Sequence, residues 1–133
     1  MNERGFSIHE SAVPLEGADH EFPGVAWWTL VSGDRTPSAH LSAGVCEIEA
    51  GTDGLELHRH SPAEVYHFLS GTAEVTIDGE LHPAATGTTM YIPGSTWHAI
   101  RPIGDQPVRL FYCFPTDAFG PIVYEYPEDR PRP

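Results

Sequence analysis

The stretch HRHSPAEVYHFLSG, residues 58–71, decides how this chain reads. Successive side chains of a β-strand point to opposite faces. Read as one strand, the segment puts His58, His60, Glu64 and Tyr66 at even positions, so all share one side. Histidines at i and i+2 stand about 7 Å apart at the backbone, close enough for both rings to converge on one ion. Glu64 adds an oxygen and a negative charge, which suits one divalent transition metal: iron, manganese, nickel or zinc. A further ligand has to come from elsewhere in the fold, and His98, in GTTMYIPGSTWH, is the natural candidate.

Outward from this segment the chain reads as short strands and turns. VAWWTLV (25–31) and SAGVCEIEAG (42–51) precede it, the second closed by a turn. TAEVTIDGE follows, with Asp78-Gly79 as a hairpin signal. LHPAATG reads as a connection, and TTMYIPG as a strand stopped by Pro93 and Gly94. WHAIR and VRLFYCF complete the series, the latter with Val108, Leu110, Tyr112 and Phe114 on one face. No stretch has a convincing helical period, so the fold class is all-β, a sandwich or barrel. The expected organisation is an N-terminal arm (1–21), a barrel (22–127) and a C-terminal tail (128–133).

The 133 residues suit one domain with a real core. Against 19 acids stand 7 basic residues, all arginine, for a formal charge of −12. Nucleic-acid binding is excluded because phosphate recognition needs a basic stripe, and the missing lysines exclude Schiff-base chemistry. No apolar run approaches membrane-spanning length, and MNERGFSIHE lacks the apolar core of a signal peptide. The reading is a soluble cytoplasmic protein with no membrane partner. Cys46 and Cys113 are too few for a disulfide framework and read as buried small hydrophobes.

Tyr66, two residues past Glu64 on the same face, should hang beside the metal. A nearby divalent cation stabilises phenolate, so Tyr66 can serve as a general base that takes a proton α to a carboxylate. The competing reading is a barrel-filling aromatic whose hydroxyl bonds a ligand.

The segment Gly51 to Gly71 resembles the first motif of the cupin superfamily, through His58-Arg59-His60, Glu64 and Gly71, although Gly51 lies one residue further from the first histidine than usual. Gly87, Pro93 and His98 match the spacing of the second motif. Ser95 occupies its usual second glycine position, and Pro102 stands where an asparagine is often found. The resemblance implies a cupin double-stranded β-helix, a single-domain jelly-roll barrel, with His58, His60, Glu64 and His98 as metal ligands. FPGVAWW, HRHSPAEVY, YIPGSTWHA, LFYCFPTDAF and IVYEYP are further similar to the small cupin dimethylsulfoniopropionate lyases of marine bacteria.

That likeness implies β-elimination of a metal-bound sulfonium carboxylate with Tyr66 as base, and with Tyr124 as a second catalytic tyrosine near the small-molecule carboxylate substrate. Tyr126, two residues on, shares its parity and competes for that place. A sulfonium cation favours aromatic faces, and Trp28, Phe68 and Tyr126 are assigned to the substrate. Trp27 and Trp28 must face opposite ways, so at most one looks inward. Small cupins also imply a homodimer, with N-terminal residues crossing to the partner. Two other readings stand beside the lyase: a cupin dioxygenase with the same ligand set, and a non-catalytic metal-dependent binding or sensor module. His67 and Arg59, at odd positions, should face away from the metal. His9, His20, His40 and His82 read as ordinary polar residues, and Arg101 and Arg109 as solvated strand residues.

Overall fold

The computed structural model describes residues 3–17 and 22–127. Residues 1–2 and 18–21 of the expected arm, with His20, and all of the expected tail, 128–133, lie outside the described residues. A single 3₁₀ turn, Glu10–Ala12, precedes nine strands: β1 (Val25–Val31), β2 (Ser42–Ile48), β3 (Leu55–His58), β4 (Glu64–Ser70), β5 (Thr72–Ile77), β6 (Glu80–Ala84), β7 (Thr89–Ile92), β8 (His98–Ile103) and β9 (Val108–Phe114). They form two antiparallel sheets, ordered β1-β2-β9-β4-β7 and β3-β8-β5-β6. The expected all-β jelly-roll fold is what the chain adopts. Among the described residues no helix is long and apolar enough to cross a membrane.

Two expectations need correction. HRHSPAEVYHFLSG is not one strand: β3 ends at His58 in the four-stranded sheet, and β4 begins at Glu64 in the five-stranded one. A turn around Ser61 and Pro62 moves the chain between sheets. The even positions nonetheless converge, because both sheets present their inner faces to one interior. LHPAATG, expected as a connection, instead supplies most of β6. Proline is tolerated there because β6 is an edge strand, where Pro83 need not donate to a second neighbour.

Asp78 and Gly79 take φ of 51° and 79°, as a two-residue hairpin with both central residues left-handed requires. The core fills the space between the sheets. Along β4, Glu64, Tyr66 and Phe68 point inward and are buried, while Val65 and Leu69 point outward. Phe68, Val75, Ile92, Ile100 and Leu110 are almost wholly buried, each contributing about 2–3 kcal/mol through apolar area removed from water.

Residues 3–17 make contacts with the chain's own barrel. Arg4 N–H bonds Pro37 O, Glu10 pairs with Arg109 at 2.6 Å, and Glu16 forms a β-bridge with Trp27.

A candidate metal centre at the head of an aromatic cavity

Antiparallel register brings the sequence-distant histidines together: His58, ending β3, stands opposite His98, opening β8. His60 follows β3, and Glu64 opens β4 on the facing sheet. The potential ligand atoms of His58, His60 and His98 lie within 4.8 Å of one another. Glu64 Oε1 completes the cluster, 3.2 Å from His60 Nε2 and 3.3 Å from His98 Nε2. All four residues are buried.

Each ring is oriented from behind. Nδ1 of His58 lies 2.7 Å from Glu56 O, that of His60 is 3.0 Å from Pro62 O, and that of His98 is 2.7 Å from Thr96 O. A carbonyl can only accept, so each Nδ1 carries the proton and each Nε2 turns a lone pair inward. With Nδ1 donating to a carbonyl, the Nε2 atoms of His60 and His98 stand as acceptors opposite the Glu64 carboxylate. Nε2 of His98 is buried without a hydrogen bond. A divalent cation satisfies such a donor set, and main-chain carbonyls behind ligating imidazoles are how metal sites are stiffened. The residues present therefore fit a metal.

The turn beneath the site keeps its shape without the expected glycine. Ser95 adopts φ of 59°, and its N–H bonds His60 O at 2.8 Å. Gly94 serves the approach instead: a Cβ there would meet Ser61 O at 2.3 Å.

A cavity of about 370 Å³ opens from this cluster, and aromatic side chains such as Trp27, Tyr66, Tyr112 and Tyr124 form part of its wall. Tyr66 lies on its wall and is almost fully buried, with its ring 6.1 Å from that of His98 and its hydroxyl without a well-formed hydrogen bond. Burial, and then the Glu64 charge, push its phenol well above the ordinary value. Tyr124 packs against the rings of His60 (5.4 Å) and His58 (6.2 Å), and burial followed by Glu64 raises its phenol too. Tyr126 also lines the cavity but packs on Phe22 at 5.9 Å.

Two residues assigned to the substrate stand elsewhere. Trp28 lies outside the cavity lining, under the Arg109 guanidinium at 5.1 Å, and Trp27 takes the inner place. Buried Val25 fixes the parity of β1, which sends Val25, Trp27 and Thr29 inward. Phe68 is a core residue, with no exposed surface and no share in the cavity wall. It lies one step further along β4 than Tyr66, inside the packed interior.

Arg59 faces away and pairs with Glu125 at 3.3 Å, and His67 bonds Thr89 Oγ1 at 2.7 Å. Arg101 pairs with Glu74, and Arg109 with Glu10 and Glu47. Cys46 lines the cavity and burial pushes its thiol up to about 12, whereas Cys113 is only half-buried. Sequence reasoning missed Glu16, Asp34 and Arg35, which line the same cavity. None belongs to a motif, and their positions follow from how loops fold over the barrel mouth.

The Cupin domain profile matches residues 44–114, from β2 through β9. The chain is a cupin. As a cupin it resembles dimethylsulfoniopropionate lyase DddW of Ruegeria pomeroyi, 35% identical over 121 residues that make up 90% of this chain and 78% of that one. It is also similar to a 5-nitrosalicylic acid 1,2-dioxygenase of a Bradyrhizobium species, 26% identical over 66 residues, covering 50% of this cupin and 32% of that protein. Among solved structures, the polyketide cyclase RemF of Streptomyces resistomycificus superimposes with a TM-score of 0.76 at 14% identity, over 95% of this chain and 89% of that one, a likeness of fold alone.

Proposed function

We propose that this cupin is a metal-dependent lyase that cleaves dimethylsulfoniopropionate, or a related β-substituted carboxylate, into acrylate and a neutral leaving group. The observation that carries the reading is the Tyr66 hydroxyl, without a well-formed hydrogen bond, on the wall of a cavity that His58, His60 and Glu64 also line, with His98 clustered beside them. The likeness to the lyase DddW over nine-tenths of the chain supports it.

His58, His60, Glu64 and His98 would hold the metal. When bound, a divalent ion supplies a Lewis acid that neutralises the substrate carboxylate and favours charge developing at its α-carbon. Tyr66, as the phenolate, takes the α-proton onto its oxygen. The C–H electron pair becomes the new C=C bond, and the bond from the β-carbon to sulfur breaks, with sulfur keeping the pair. Tyr124, against the imidazoles, orients the carboxylate end, while Tyr126 and Trp27 wall the chain of the substrate. Burial and Glu64 hold Tyr66 protonated, so base activity is expected only when a cation stands nearby to offset them.

The test is incubation of the protein, loaded in turn with iron, manganese, nickel or zinc, with dimethylsulfoniopropionate. Equimolar dimethyl sulfide and acrylate support the lyase. Neither product from any metal form removes this substrate. The similarity to a dioxygenase favours a second reading, an iron-dependent oxygenase on a small carboxylate or aromatic substrate. Oxygen consumption that survives Tyr66→Phe would favour it. A cytoplasmic homodimer belongs to the same proposal. Exposed Val65, Leu69 and Tyr91 offer an apolar outer surface for pairing, and light scattering at micromolar concentration tests it.

A further inference from the structure

The cavity wall at β1, separated from β4 by β2 and β9 in the five-stranded sheet, carries a charge arrangement that no step of the elimination uses. Among the described residues lining the cavity, Arg35 is the one arginine, and it is already matched. Its Nη1 lies 3.0 Å from Glu16 Oε2 and its Nη2 lies 3.1 Å from Oε1, a two-pronged pair. Thr29 Oγ1 donates to the same Oε2 at 2.7 Å. Asp34 lines the cavity as well, held by Ser32 Oγ. Among the described residues here, two carboxylates and one guanidinium sum to a net charge of −1.

The electron-rich faces of Trp27, Tyr112 and Phe119 add to the disfavour for anions. Burial works against the Glu16 carboxylate, yet Arg35 and Thr29 outweigh it and hold Glu16 below the usual carboxylate range, so it stays ionised at neutral pH. Backbone bonds in both directions between Glu16 and Trp27, at 2.8 and 3.0 Å, pin the N-terminal segment in place.

We propose that Glu16 is a specificity-determining residue: by occupying Arg35 it denies this wall of the cavity to a second carboxylate, restricting the ligand to a monocarboxylate whose other end is neutral or cationic. This rests on the reading that the histidine end binds a carboxylate. Without Glu16, Arg35 would be an unpaired planar fork suited to bind a carboxylate, and the cavity would accept short dicarboxylates.

Three unreactive probes of similar length test this by calorimetry on the zinc-loaded protein: N,N-dimethyl-β-alanine with a cationic tail, 4-methylpentanoate with a neutral one and glutarate with an anionic one. The wild type should bind glutarate weakest. Glu16→Gln should bind glutarate about tenfold tighter, as one released charge in a partly exposed site allows, while 4-methylpentanoate changes less than twofold. The double variant with Arg35→Met should lose that gain. Thr29→Val, which only loosens Glu16, should give a smaller gain in a chain whose fold is little disturbed. Unchanged glutarate affinity in Glu16→Gln, or a gain that survives Arg35→Met, overturns the inference while leaving the carboxylate site standing. Failure of all three probes to bind the wild type overturns that site and the inference together.

Discussion

Replacing Glu64 by Gln should move stability in opposite directions with and without metal. In the metal-free protein Glu64 Oε1 faces two Nε2 atoms, 3.2 and 3.3 Å away, on rings whose Nδ1 protons point to carbonyls. With each Nδ1 donating to a carbonyl, both Nε2 atoms are acceptors opposed to the Glu64 oxygen. A glutamine of the same shape turns its NH₂ group toward them and donates. Relief of buried, unsatisfied acceptors is worth about 1–2 kcal/mol, or roughly 3–8 °C in melting temperature for a domain of this size. With metal in excess the sign reverses. At a thousand times the dissociation constant, binding adds about 4 kcal/mol to the wild type, or roughly 12–16 °C. The variant has given up its charged ligand and should gain less than half of that. Scanning calorimetry of both proteins, with chelator and with zinc, measures all four values. A metal-free Glu64→Gln that melts below the wild type, with an unchanged response to zinc, would refute the reasoning and show Glu64 to be a partner of protonated histidines instead.

Phe68→Ala should cost about 3–5 kcal/mol in denaturant unfolding, because Phe68 is sealed in the core, while zinc affinity stays within severalfold. Trp27→Ala should raise the KM for dimethylsulfoniopropionate at least fivefold, and Trp28→Ala should leave it within twofold, since only Trp27 lines the cavity. Ser95→Gly should raise stability by about 0.5–1 kcal/mol, because Ser95 holds a left-handed φ of 59° that glycine adopts freely. Burial raises both the Cys46 thiol, ordinarily 9.0, and the Tyr112 phenol, ordinarily 10.0, so the unfolded chain loses these protons first as pH rises. Their contribution is complete below pH 9 and falls above it, so melting temperature should decline from about pH 9 to 11.

The clustering of His58, His60, Glu64 and His98 was legible because a metal-site pattern constrains residue type and spacing tightly. Alternation placed Tyr66 inward even though the segment breaks at Ser61-Pro62, since both sheets share one interior. The choice between Trp27 and Trp28 was not legible, as either parity satisfies a strand with tryptophan at both positions. Only the burial of Val25 and the cover over β1 decide it. Phe68 shows a related limit: parity says which side a residue faces, while depth along the barrel separates cavity wall from packed core. The strand in β6 was hidden by Pro83, whose edge position depends on sheet order. Glu16 and Arg35 meet across 19 residues through loop geometry that no local pattern encodes.

The central claim, tyrosine-assisted elimination at the histidine cluster, is tested most directly by headspace measurement of dimethyl sulfide from wild type and Tyr66→Phe at equal metal occupancy. The account expects sulfide from the wild type and a loss of at least a hundredfold in the variant, which still binds metal. Equal sulfide release from both proteins would contradict it.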